Sequence, residues 1–243
     1  MMKFRIINRA FYFAFLITCC FASRISYSTE REELKIQDVA KEYKETVARW
    51  DAFISDPRNI DNPTDSRGDS YVNNKPFDEI VALGVPALEY IVQDIESGKN
   101  LIDFAFKRIS KKQFTNTEMW QPGGYDAAII RWWRNGRANI KEEFAAYYEQ
   151  WTKTPQGKEK DTRFKTLVGV SVLALPYAME HLKEGNEQLM PAIDYWTDNK
   201  PKEAFEKLEG EEMSKKDFYL AWWEKNKDFW LVPQLKKPAE SKE

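Results

Sequence analysis

Val85-Pro86-Ala87-Leu88-Glu89-Tyr90 returns in altered form eighty-seven residues on, as Val172-Leu173-Ala174-Leu175-Pro176-Tyr177. At the same offset Leu88, Ile91, Val92 and Ile95 fall on Leu175, Ala178, Met179 and Leu182. Both sets follow the i, i+3, i+4, i+7 spacing that lines one face of an α-helix. Each stripe then meets a glycine, Gly98 or Gly185. A second echo sets Ile129-Ile130-Arg131-Trp132-Trp133 against Tyr219-Leu220-Ala221-Trp222-Trp223, at an offset of ninety. Two anchors at nearly one offset predict an internal duplication of helical units, and an all-α fold.

Working outward, residues 77–152 form the first predicted unit and residues 161–232 the second. In the first, Pro86 stands where a first-turn proline is favoured and Gly98 where a helix stops. Helices carrying Leu101, Ala105 and Ile109, then Tyr125, Ile129, Trp132 and Trp133, then Ile140, Phe144, Tyr147 and Trp151 follow. In the second, Ser214 and Asp217 have the spacing of a capping box before Phe218, Trp222 and Trp223. Ahead of both, residues 29–55 carry Ile36, Val39, Tyr43, Val47, Trp50 and Ile54 on one stripe, an N-terminal helix. Residues 56–76 read as an irregular loop rich in turn formers. Within it Asp61, Asp65 and Asp69 lack the alternate spacing of an EF-hand loop, and Arg67-Gly68-Asp69 is explained by turn composition. Residues 233–243 read as a loose tail.

Residues 1–28 have the pattern of a signal peptide. Lys3, Arg5 and Arg9 form a basic start, and Ala10 to Ala22 is a short, mostly apolar run. As a helix that run would reach about 20 Å, short of the roughly 30 Å hydrocarbon core. Export to a periplasmic or extracellular location is therefore expected. Leu16-Ile17-Thr18-Cys19 resembles a lipobox, which makes Cys19 a lipidation candidate and a lipid anchor the expected route to a membrane. Cys19 and Cys20 are the only cysteines, so the folded part has no disulfide or cysteine-based metal site. Removing Lys3, Arg5, Arg9 and Arg24 takes the formal charge from −2 to −6. An acidic chain does not suit nucleic acid or an anionic membrane as a main partner.

Catalytic signals are thin. His181 is the only histidine, and no nucleophile elbow, His-Glu-x-x-His helix or phosphate loop occurs. No catalytic, cofactor-binding or metal-ligating residue is assigned, and no cofactor is expected. Two carboxylates and nine tryptophans would suffice for a glycosidase cleft, yet most tryptophans lie on apolar stripes as core fillers. The doubled pairs Trp132-Trp133 and Trp222-Trp223 differ. Neighbours on a helix point about 100° apart, which sets one of each pair at the rim of the apolar face. These four are the candidate binding surface, an aromatic ledge for a peptide or a sugar.

Leu83-Gly84-Val85-Pro86-Ala87-Leu88-Glu89-Tyr90-Ile91 resembles the first helix of a HEAT-like repeat, in which a glycine-proline lead-in precedes an Ala-Leu-x-aromatic-aliphatic run. The second unit keeps Ala174-Leu175-Pro176-Tyr177 but reads Ser171-Val172-Leu173 at the lead-in. With Phe77-Asp78-Glu79-Ile80 and the later Trp-Trp helix, the chain is also similar to uncharacterised exported bacterial proteins of HEAT-like type. The resemblance implies stacked antiparallel helix pairs and protein binding, either as an irregular α-solenoid or as a compact helical domain with two related halves. The expected function is a non-catalytic module that binds a protein or peptide. A glycan-binding or glycan-hydrolysing envelope protein and a structural envelope lipoprotein are the alternatives.

Overall fold

The computed structural model describes residues 36–60, 68–208 and 213–232, and every regular element among them is helical. The stripe Val39, Tyr43, Val47, Trp50 builds α1 (Ile36–Ile54). After a short 3-10 turn at Pro57–Asn59 and α2 (Asp69–Val72), Asn74 caps α3 (Lys75–Ala82) by accepting from the Phe77 amide at 3.0 Å. A 3-10 turn at Val85–Ala87 leads into α4 (Leu88–Glu96). Then come α5 (Asp103–Ser110), α6 (Asn116–Met119) and α7 (Gly124–Arg134).

The chain then runs through α8 (Ile140–Lys153), α9 (Lys158–Val168), a 3-10 turn at Val172–Ala174 and α10 (Leu175–Lys183). It ends in α11 (Met190–Trp196), α12 (Lys200–Glu206) and α13 (Lys215–Trp230). The two related stretches keep one local plan, a three-residue 3-10 turn followed by a nine-residue helix. Both helices close alike, with the Lys99 amide donating to Asp94 O and the Asn186 amide to His181 O. Ser214 caps α13 by accepting from the Asp217 amide at 3.1 Å.

Packing extends the correspondence. Helix α1 lies on α3 and on the Val85–Ala87 turn, as α8 lies on α9 and on the Val172–Ala174 turn. Helix α5 touches α3 and α4, as α11 touches α9 and α10. Helix α7 packs on α4, as α13 packs on α10. By these contacts the repeated set covers 36–134 and 140–230. Within it the stripes of α1 and α8 hold corresponding places.

One continuous core joins both sets, from Val39 to Trp230. Each fully buried aliphatic or aromatic side chain contributes about 1.5–3 kcal/mol. The sets meet at the two 3-10 turns. Ser171 Oγ donates to Ser110 O at 2.8 Å, the Gln113 amide donates to Gly169 O at 2.9 Å, and Lys111 pairs with Asp198 at 2.7 Å. On the other side the Phe229 ring from α13 covers Gly84 so closely that a Cβ there would lie 2.4 Å from it. Gly84 has φ 70°, ψ −157° and its counterpart Ser171 has φ 154°, ψ 159°, a region that favours glycine. The Ser171 side chain is itself fully buried, and its hydroxyl donates to Ser110 O and accepts from the Leu173 amide.

Candidate binding surfaces

The doubled tryptophans do not form a ledge. Trp132, Trp133 and Trp223 are core residues and Trp222 is half-buried against Trp230, with ring centroids 6.1 Å apart. What covers the first pair comes from α5, from the segment after it and from the turn that follows α7. The Phe106 ring meets Trp132 and Trp133 edge-on, each at 6.0 Å, and Phe114 meets Trp132 at 6.2 Å. The Arg137 guanidinium lies 4.2 Å over the Trp133 ring.

Trp133 is fully enclosed and donates its indole N–H to Glu89 Oε2 at 2.6 Å. Glu89, only 7% exposed, also accepts from Arg134 at 2.6 Å, while Arg137 stands 3.9 Å away. Arg134 reaches on to Glu96 with two further bonds of 2.9 and 2.8 Å. Burial alone would push the Glu89 carboxyl up. The bonds from Trp133 and Arg134, the charge of Arg134 and a weaker bond from Gln93 outweigh it and hold the group below the usual glutamate range. Every strong acceptor direction of Glu89 is used inside the fold, so this cluster locks α4 to α7. In the second set Pro176 replaces Glu89, and the buried acid there is Asp194, which accepts from Tyr219 Oη at 2.7 Å.

The outlier among the tryptophans is Trp120, 86% exposed at the end of α6. Its turn is braced on every side. Thr115 and Glu118 form a reciprocal capping box, with the Thr115 amide donating to Glu118 Oε2 at 2.6 Å. Arg131 reaches back from α7 to donate to Glu118 O at 3.1 Å and Pro122 O at 3.2 Å. Gly123 has φ 91°, and a Cβ there would meet Ala127 at 2.6 Å, so the turn needs glycine to close onto α7. A braced turn that holds a large ring in water loses little entropy when that ring is buried by a partner.

A third feature is concave. Helices α1 and α4 leave an open groove of about 260 Å³ between them. Tyr43 and Tyr90 stack in it with centroids 5.8 Å apart, and Tyr43 Oη donates to Asp94 Oδ2 at 2.8 Å. Lys99 grips both oxygens of Asp51 at 2.8 and 2.6 Å. Lys44, Val47, Ala48 and Gln93 complete the walls. Burial first, then the bond and charge of Asp94 and the charge of Asp51, push the Tyr43 hydroxyl well above the usual tyrosine range. Tyr43 is thus a donor at any working pH.

The carboxyls pushed upward lie elsewhere. Asp103 is raised by burial and by the charge of Asp126, Asp126 by burial, and Asp194 by burial against the opposing bond from Tyr219. None of the three lines the groove. His181 is not a free surface residue, since its ring packs 4.9 Å from Tyr148 and 5.7 Å from Phe144. Among the described residues no group of three or more His, Cys, Asp or Glu is placed to hold a metal ion, and no helix is long and apolar enough to cross a membrane. Asp69 opens α2, whereas Asp61, Asp65, Arg67, the 1–28 signal and Cys19 lie outside the described residues. Compared with known protein families, curated proteins and solved structures, the chain matches none.

Proposed function

We propose that this chain is an exported, non-catalytic helical module that docks on a protein partner through the Trp120 turn. The observation that carries the reading is a single tryptophan, almost wholly exposed, on a turn braced by a capping box and by Arg131. Tryptophan is enriched among the few residues that dominate interface energetics once a partner covers them. The HEAT-like resemblance and the export pattern of residues 1–28 point the same way. The Trp132, Trp133 and Trp223 side chains are packing groups, so their substitution would test stability rather than binding.

The test is quantitative capture from an envelope extract with the wild-type chain and Trp120→Ala. One stoichiometric protein retained by the wild type and lost by the variant is the expected outcome. Identical co-purifying proteins for both would end the reading.

A further inference from the structure

The groove between α1 and α4 is open because of two specific side chains, as the second set shows. The α1 stripe Val39, Tyr43, Val47, Trp50 corresponds in spacing to Ile140, Phe144, Tyr148, Trp151 on α8. Asp94 on α4 corresponds to His181 on α10 at the eighty-seven-residue offset. Between α8 and α10 the space is filled: Tyr148 lies 4.9 Å from His181, stacks on Phe144 at 5.9 Å and accepts from Gln188 at 3.1 Å. Between α1 and α4 the same places hold the smaller Val47 and Asp94. Helix packing of this kind does not require an opening, and the first set has one.

We propose that the α1–α4 groove is a binding site for one neutral sugar ring. The walls carry Asp51, Asp94, Lys44 and Lys99, which sum to no net charge. A cationic ligand would face two lysines and an anionic one two aspartates. Hydroxyl groups both donate and accept, and so use lysine, aspartate and the Gln93 amide together. The stacked Tyr90 ring with Val47 and Ala48 offers an apolar side to the C–H face of a ring. Small-molecule pockets for larger ligands run to about 300–1,000 Å³, so about 260 Å³ suits a single ring. Asp94, fixed by the Tyr43 hydroxyl, is the orienting acceptor. The site shares no residue with the Trp120 turn, so the two proposals stand or fall separately.

Saturation-transfer NMR on the full chain tests this with D-glucose, D-galactose and N-acetyl-D-glucosamine at about 10 mM, enough to populate a site with a millimolar Kd. Ethylammonium and acetate serve as charged controls. At least one sugar is expected to bind, with Asp94→Asn weakening it about tenfold. Val47→Tyr, which rebuilds the filled arrangement of the second set, is expected to abolish it. Gln93→Ala, at an exposed position, is expected to weaken it about threefold, and it keeps the test decisive if Val47→Tyr fails to fold. Trp120→Ala should leave sugar binding unchanged. Silence from all three sugars, a signal indifferent to Asp94→Asn and Gln93→Ala, or stronger binding of either charged control would overturn the proposal.

Discussion

Between α8 and α10, Tyr148 and His181 close the space with rings 4.9 Å apart. Between α1 and α4, Val47 and Asp94 stand in their places and leave about 260 Å³ open. The main helix neighbours correspond in the two sets, and the side chains that face this space differ in volume. The sets also diverge in how their long helices are locked. In the first, Glu89 ties Trp133 and Arg134 to α4, while in the second Pro176 carries no such group and Tyr219 bonds to Asp194. The divergence teaches that one packing scheme tolerates a polar lock and an opening in one copy if the other copy is filled.

The largest effect should come from the lock. Glu89→Ala leaves the enclosed Trp133 N–H without an acceptor, Arg134 with Glu96 alone and Arg137 without its nearest acid, and together these losses should cost about 3–5 kcal/mol. Denaturant unfolding checks it, and a loss below about 1 kcal/mol would show that the cluster behaves as a surface pair. Gly84→Ala comes next. A methyl group there meets the Phe229 ring at 2.4 Å in a backbone conformation that disfavours side chains. Overpacking and backbone strain together predict a loss of about 3 kcal/mol. At the corresponding place in the second set, Ser171→Ala keeps the strain, deletes the bonds to Ser110 O and from the Leu173 amide, and should cost about 1–2 kcal/mol. Equal losses at 84 and 171 would deny that Phe229 sets the difference.

The pH response separates the sets by sign. Glu89 is held below the usual range, so the folded state binds its proton more weakly than the unfolded chain. Its stabilisation is complete above the unfolded value of about 4.3 and is lost as pH falls through the lower folded value. Asp194 is raised, so its ionised form costs stability above the folded value, and that cost fades as pH falls toward the unfolded value. Urea midpoints from about pH 3 to about pH 7 should therefore show a shallower acid loss for Glu89→Gln and a steeper one for Asp194→Asn. The smallest stability change belongs to Trp120→Ala, within about 0.5 kcal/mol of wild type. A thermal melt displaced by many degrees would mean that the turn is part of the fold and not a docking element.

Much of the fold was written in local patterns. The eighty-seven-residue offset marks two 3-10 turns and two nine-residue helices, because helix stripes, first-turn proline and closing glycines are short-range signals. The fate of Trp132 and Trp133 was not legible in this way. Adjacent helix positions leave either burial or exposure open, and Phe106 and Phe114, brought in from earlier in the chain, decide for burial together with Arg137 of the next turn. Trp120 carries a sequence signal of its own, a tryptophan off any stripe between a Thr115–Glu118 capping pair and Pro122-Gly123-Gly124. The groove becomes visible in sequence only once the α1 and α8 stripes are aligned, since a valine in place of a tyrosine means nothing until the two are known to fill one kind of space.

The most direct measurement of the central claim is equilibrium urea unfolding of Tyr148→Val beside Val47→Tyr. If the two spaces are one packing site, filled in one set and open in the other, Tyr148→Val should cost about 1–2 kcal/mol by uncovering the faces of Phe144 and His181 on which the half-buried Tyr148 ring packs. Val47→Tyr should then change stability by less than about 1 kcal/mol, because the added ring enters space that is already there. A loss for Val47→Tyr as large as that for Tyr148→Val would contradict the account, since the groove would then be close-packed surface with no room for a ring.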